Sequence, residues 1–402
     1  MAASRPIRIL FICHRAAFYG DNRSLLPVVE RLGPDWVPSF VVPDSGEFAD
    51  ELRRRGYAIH RIEMRAGGHL LKGVIAAARL ALLILARHID LVHVNTHFRA
   101  AVTIAACRFT GVPMVVHVRN MISRIRPPRL LRPGVVEAVI CISEAVRRSL
   151  SDAWGPGQPF GARAVVVIPD GRDLDPFGRG EGGRIRAELG LEADAPLVGT
   201  VARINPMRGH EIFLQMAARV AERVPSARFL IVGGPVAEGD DAYLRSLERL
   251  RTQLGLEDRV TLTGYREDVP DILAALDAFV LPTRQGAFVS VLIEAMASGV
   301  PIVVTDVDGV PECVGRDGAG LLIPGLDPDE FAAATVRVLT DRELATRLGG
   351  AARRRARTRF GITSLARDTE EVWRRAAARG AAERASEAAE KSIPGRRGGP
   401  RA

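Results

Sequence analysis

Short apolar runs alternate along the chain with longer stretches whose apolar positions recur every three or four residues. In the first half, runs at 7–12, 37–42, 58–62, 90–95, 113–118, 136–142 and 164–168 predict strands, with helices at 22–32, 69–87, 98–109 and 143–151. The series restarts after Pro169-Asp170-Gly171, with strands predicted at 196–202, 228–233, 259–263, 277–281, 301–305 and 320–323 and helices between them. Strands separated by helices predict parallel sheets with right-handed crossovers. Two such series predict an α/β protein of two doubly wound domains facing across a cleft, where ligands usually sit. The expected bounds are 1–172, an acceptor-side domain, and 173–360, a second domain. A closing helix at 361–379 and a disordered tail at 380–402 follow, because Ala, Glu, Arg, Gly and Pro dominate from Gly380 without a period.

With 402 residues, 47% hydrophobic and 26% charged, the chain is long and apolar enough for two cores and is not disordered throughout. The 39 glycines without a repeat and the 4 cysteines exclude collagen-like and disulfide-scaffold classes. The net charge of +9 is unevenly spread: 1–170 is +10, 171–350 is −9 and 351–402 is +8. An acidic middle is poor ground for a phosphate backbone, so no nucleic-acid partner is expected. The basic first domain suits an anionic surface or substrate. Cys13, Cys107, Cys141 and Cys313 are far apart and form no C-x-x-C pair, as in a reducing cytosol. The N-terminus enters the strand Ile7–Ile12 without a signal-peptide pattern. Val74–Ala86, interrupted by Arg79, is too short to span a bilayer and reads as a buried or interfacial helix. The expectation is a cytoplasmic protein, peripheral on the inner face of the membrane.

No G-x-G-x-x-G follows a strand and no G-x-x-x-x-G-K-[ST] is present, which removes the main support for dehydrogenase and P-loop readings. Asp306-Val307-Asp308 has a spacing that could grip a metal-bound diphosphate, but reads better as an ordinary acidic loop. More informative is Thr200 to His210, a strand end opening into a helix, where Arg203 and Arg208 could converge on one anion through paired guanidinium donors. A second block, Leu281 to Pro301, runs from a strand through a glycine loop into a short helix. Amides near Ser290 and Val291 could bind phosphate oxygens, while Glu294, on an apolar face, needs donors such as ribose hydroxyls or a neighbouring arginine.

Together these blocks resemble the retaining GT-B glycosyltransferases of family four, built from two Rossmann-like domains. The likeness covers most of 7–360. It is strongest over 197–324, through Arg203, Arg208-Gly209, Val232-Gly233-Gly234, Leu281-Pro282, Glu294-Ala295-Met296-Ala297-x-Gly299-x-Pro301 and Gly309-x-Pro311-Glu312. In the first half, Gly20-Asp21-Asn22 resembles the loop after strand one. The resemblance implies a nucleotide-sugar donor and transfer to a glycan or lipid-linked acceptor, in polysaccharide or glycolipid synthesis. It implies no metal and no resident cofactor. Arg203 and Arg208, with Gly20, Ser290 and Val291, would then hold the donor diphosphate, Glu294 the ribose, and Tyr265 and Arg266 the base. Gly286, Ala287, Phe288 and Val289 would face the donor sugar.

One departure stands out. The family usually carries two glutamates in E-x7-E, and the first position here is Gly286. That implies altered sugar selectivity, or a catalytically weak or inactive relative acting as a binding protein. On the acceptor side the resemblance favours His117 as the catalytic histidine, with His93 and His97 as rivals and Arg119 able to take the role. Arg119 to Arg132 mixes arginines with Met, Ile and Leu, so Arg119, Arg124, Arg126 and Arg129 could bind acceptor or an anionic membrane. A pyridoxal-phosphate phosphorylase is disfavoured, since neither Lys72 nor Lys391 lies at the expected place. A nucleotide-sugar epimerase is a minor alternative.

Overall fold

The computed structural model describes residues 5–17, 20–64, 70–122, 134–155, 157–192, 194–236 and 239–392. The chain divides into two units: residues 1–142, 147–168 and 366–402 form the first, and 143–146 and 169–365 the second.

The first unit contains β1 (Ile7–Ile12), α1 (Gly20–Val29), β2 (Trp36–Val42), α2 (Glu47–Arg54), β3 (Ala58–Arg61), α3 (Leu70–Ala86), β4 (Leu91–Val94), α4 (Ala100–Thr110), β5 (Met114–Val118), β6 (Val136–Cys141), most of α5 (Glu144–Trp154) and β7 (Ala164–Val167). Its seven described strands are all parallel, in the order β3-β2-β1-β4-β5-β6-β7. Central strands covered on both faces are largely apolar, and all of β4, β5 and β6 is buried. The only charged residue of β6, Glu137, is paired with Arg163 at 3.0 Å.

The second unit contains α6 (Gly182–Glu188), β8 (Leu197–Val201), α7 (His210–Arg223), β9 (Arg228–Val232), α8 (Asp240–Gln253), β10 (Val260–Leu262), α9 (Val269–Ala275), β11 (Ala278–Leu281), α10 (Ser290–Ser298), β12 (Ile302–Thr305), α11 (Val310–Val314), β13 (Leu321–Ile323), α12 (Pro328–Thr340) and α13 (Arg342–Arg359). Its six described strands are parallel, in the order β10-β9-β8-β11-β12-β13. Leu281, Leu292, Ile293, Met296 and Val304 are among the buried side chains that pack on one face of this sheet. Phe213, Phe229, Val280 and Phe331 belong to a second core cluster.

The chain closes with α14 (Ile362–Ser392), which belongs to the first unit from Ala366 onward. Trp373 of α14 is fully buried there, packs edge-on to Phe11 and Trp36, and donates from Nε1 to His93 Nδ1 at 3.0 Å. The expected end of the closing helix at 379 is corrected: it continues to Ser392. Ala, Glu and Arg are strong helix formers even without an apolar stripe, and Glu383 pairs with Arg163 beneath it. The four cysteines, Cys13, Cys107, Cys141 and Cys313, are fully buried.

Candidate active site

In the second sheet the strand order reverses between β8 and β11. The chain leaves β8 towards β9 on one side and β11 towards β12 on the other, so their following loops part and leave a crevice at the strands' carboxyl ends. In the first loop, Asn205 Oδ1 accepts from Met207 N at 2.9 Å and starts a single tight turn, Pro206–Arg208. Gly209, at φ 63°, ends that turn and opens α7, and a Cβ there would overlap the Pro282 carbonyl. This close approach ties the two loops together. Arg284 N donates to Met207 O at 2.9 Å, and the buried Thr283 hydroxyl lies 3.0 Å from Met207 O and 2.8 Å from Gln285 O.

Arg208 is laid across the second loop, donating from Nη1 to Thr283 Oγ1 at 3.2 Å and to Gln285 O at 3.3 Å. Burial, then the positive charge of Arg203, pulls its pKa down to about 10. Among the described residues no carboxylate forms an ion pair with Arg203 or Arg208. Two guanidinium groups near enough for their charges to interact, neither paired with a carboxylate among the described residues, could together accept a dianion.

The Gln285–Gly286 peptide is held from both edges. Arg208 binds its carbonyl oxygen, and Asp308 Oδ2 accepts from its N–H at 3.0 Å. Gly309 N donates back to Gly286 O at 2.9 Å. A Cβ on Gly286 would lie 2.8 Å from Val289 Cγ2 and 2.9 Å from Val310 Cγ2, so the glycine is part of the packing. Ala287 and Phe288 follow, half-buried, and buried Val289 stands at the start of α10, where no side chain caps the helix. The first amides of α10, at Ser290 and Val291, are therefore open to an anion.

One turn along α10, the half-buried Glu294 places Oε1 3.5 Å from Arg172 Nε. Of the two partners foreseen for this carboxylate, the structure supplies the arginine, leaving both groups beside the crevice. Arg172 was not singled out in the sequence, since nothing local marks it. The segment expected to face the base begins where Gly233 N donates to Gly264 O at 2.9 Å. Tyr265 is 65% exposed. The Arg266 guanidinium is committed to Asp268, at 2.6 and 2.8 Å, and to Glu188. Only the backbone of Arg266 is left for a base. Asp306 and Asp308 do not act as a pair: Asp306 forms a two-pronged ion pair with Arg316 at 2.7 and 2.9 Å.

In the first unit Gly20 opens α1, exposed, with no atom crowding its missing side chain. His117 lies inside β5, buried between His93 and Arg119. Burial, then Arg119 and His93, holds it neutral, well below the ordinary histidine range. Its Nδ1 is 3.2 Å from Arg119 Nη2, and its Nε2 is buried without a hydrogen-bond partner. Arg119 follows the strand's carboxyl end and also donates from Nε to Asn95 Oδ1 at 3.3 Å. Arg119 thus stands at the carboxyl end of β5, while His117, the histidine favoured as catalytic, lies within the strand and not past its end. His97 stacks on Phe98 and is also held neutral by burial. At the neighbouring end of β1, His14 Nδ1 lies 3.1 Å from Asp21 Oδ2. Arg124, Arg126 and Arg129 lie outside the described residues.

The chain matches the family glycosyl transferases group 1 over residues 195–341 and Glycosyltransferase Family 4 over residues 20–176. It is 32% identical over 332 residues to the D-inositol 3-phosphate glycosyltransferase of Kineococcus radiotolerans, covering 75% of each chain. The chain belongs to glycosyltransferase family 4. The glycosyltransferase is also 32% identical to the D-inositol 3-phosphate glycosyltransferase of Geodermatophilus obscurus over 77% of this chain and 70% of that one. Among solved structures it resembles HepE of Anabaena in complex with UDP and glucose, with a TM-score of 0.75 at 22% identity over 91% of this chain and 99% of that one. It also resembles sucrose-phosphate synthase of Thermosynechococcus elongatus, with a TM-score of 0.73 at 22% identity over 92% and 98%. These likenesses establish a GT-B fold of two Rossmann-like units. Among the described residues no helix is long and apolar enough to cross a membrane.

Proposed function

We propose that the glycosyltransferase is a retaining enzyme that takes a sugar from a nucleotide-sugar donor bound in its second unit and moves it to a glycan or lipid-linked acceptor. The observation that carries this reading is Arg208, laid across the loop that leads to the uncapped start of α10 and near enough to Arg203 for the two charges to interact, with no carboxylate paired to either among the described residues. Charge that develops on a departing diphosphate would be met by the two guanidinium groups and the amides of Ser290 and Val291. That provision would make a metal unnecessary. Glu294, one turn further, is placed to accept from ribose hydroxyls, with Arg172 fixing its carboxylate. The leaving phosphate would receive the acceptor proton on the face it departs from.

UDP and glucose are named for HepE and D-inositol 3-phosphate for the relatives, so these are the first ligands to try. The test is UDP release from UDP-sugars with inositol 3-phosphate or short lipid-linked glycans, and proton NMR of the product's anomeric centre. Retained configuration supports the reading; inverted configuration removes it. Gly286 favours a second reading, a weak or inactive donor-binding protein, for which donors bind but no sugar is released or transferred.

The first unit is further proposed to rest on an anionic membrane. Leu71, Val74, Ile75, Leu82 and Leu85 of α3 are exposed alongside Lys72 and Arg79, a mixture suited to a headgroup boundary.

A further inference from the structure

Asp308 adopts a left-handed backbone conformation, which aspartate tolerates better than most side chains but still less readily than glycine. Its φ is 49°, in the left-handed region where a side chain costs energy and glycine does not. A non-glycine residue there persists only when its surroundings fix it. Here the fixing contact is the bond from Gly286 N to Asp308 Oδ2, with Gly309 N to Gly286 O as a second rung. The second oxygen, Oδ1, of this half-buried carboxylate has no hydrogen-bond partner among the described residues. The carboxylate also stands near positive charge. Arg208 and Asp308 grip opposite edges of one peptide bond, so their bound atoms are at most about 9 Å apart by standard peptide dimensions. A sugar 1-phosphate spans such a gap, its phosphate on the arginine and a distal hydroxyl on the carboxylate.

We infer that Asp308 binds donor-sugar hydroxyls through Oδ1 and sets sugar selectivity, supplying the carboxylate that position 286 cannot carry. This rests on the donor-site reading above. A side chain at 286 would meet Val289 and Val310, whereas Asp308 approaches the same loop from the β12–α11 connection without crowding it. A carboxylate accepts from sugar hydroxyls and offers no donors, so hexoses whose distal hydroxyls point at it are favoured over deoxy sugars.

The experiment is calorimetric titration of UDP, UDP-glucose, UDP-galactose, UDP-N-acetylglucosamine and GDP-mannose into wild type and Asp308→Asn. The asparagine amide oxygen can keep the bond from Gly286 N, and thermal melting checks the fold. The expected result is unchanged affinity for the free diphosphate and at least about a tenfold loss for the preferred nucleotide sugar, as for removal of a charged hydrogen-bonding partner. Asp308→Gly, which suits the backbone, is expected to give the same sugar-specific loss if the first variant folds poorly. Equal losses for diphosphate and nucleotide sugar, or none for either, would overturn the proposal. Wild type that bound neither diphosphates nor their sugars would instead overturn the donor-site reading.

Discussion

Arg172 and Glu294, far apart in sequence, meet with Nε 3.5 Å from Oε1 at the crevice of the second sheet. The arginine is fixed on its own side, since Arg172 N donates to Phe360 O at 2.8 Å and its carbonyl accepts from Ile362 N at 2.9 Å. The carboxylate is half-buried, so the pair adds little to stability and its geometry matters more for what else Glu294 can bind. Glu294→Gln is expected to leave the melting temperature within a few degrees of wild type. Its affinity for UDP should fall by about tenfold or more, through loss of a charged acceptor. Calorimetry beside a melting curve checks both halves.

Gly209 is needed for its shape. Any Cβ there would overlap Pro282 O, and the φ of 63° is one that other residues resist. Gly209→Ala is expected to cost about 1–3 kcal/mol, as overpacking and backbone strain do. It should also separate the loops that bring Arg208 onto Gln285, so UDP binding falls with stability. Denaturant unfolding and calorimetry on one preparation measure the coupling.

Three buried histidines, His93, His117 and His210, and the half-buried His97 make the fold sensitive to acid. Burial brings His93 down to about 3 and His97 and His210 to about 4, and holds His117 well below its ordinary value. In the unfolded chain each titrates near about 6.5. Because the folded values are lowered, the stabilisation of the neutral form is complete above about pH 6.5 and is lost as the pH falls toward the folded values. Each contributes a slope of about 1.4 kcal/mol per pH unit over that interval. Melting temperatures should drop between pH 6.5 and 4.5, and His210→Gln should flatten the fall for the second unit. Stability that stayed constant over that range would contradict this.

Much of the fold was legible because parallel strands covered on both faces are largely continuous apolar runs, as Ala278–Leu281 is. The short helix Glu47–Arg54 escaped notice, with only Phe48, Ala49 and Leu52 buried. So did the end of α14, whose helix-forming composition outweighs its lack of an apolar stripe. Of the candidate site, Arg203, Arg208 and Glu294 stand out in the sequence because strand-loop-helix blocks carry them locally. Arg172 does not stand out, and Asp308 stands out only as half of an acidic pair, because their partners Glu294 and Gly286 are brought to them by the fold alone. The spacing around His117 does not tell an inward side chain in a strand from the residue just past its end, Arg119.

The apolar face of α3 gives a separate expectation. Replacing Leu82, which is 66% exposed, by Glu should not disturb the core, yet it should lower binding to vesicles containing anionic phospholipid. Flotation of wild type and Leu82→Glu with anionic and with neutral vesicles measures it. Equal binding of the two proteins to anionic vesicles would remove the membrane role from this helix.

The central claim is that Arg203 and Arg208 grip a diphosphate, and calorimetric titration of UDP and UMP into wild type, Arg203→Ala and Arg208→Ala tests it most directly. The expected result is that wild type prefers UDP, that each substitution weakens UDP by at least about tenfold, and that UMP is affected much less. Unchanged UDP affinity in both variants, or equal losses for UDP and UMP, would contradict it.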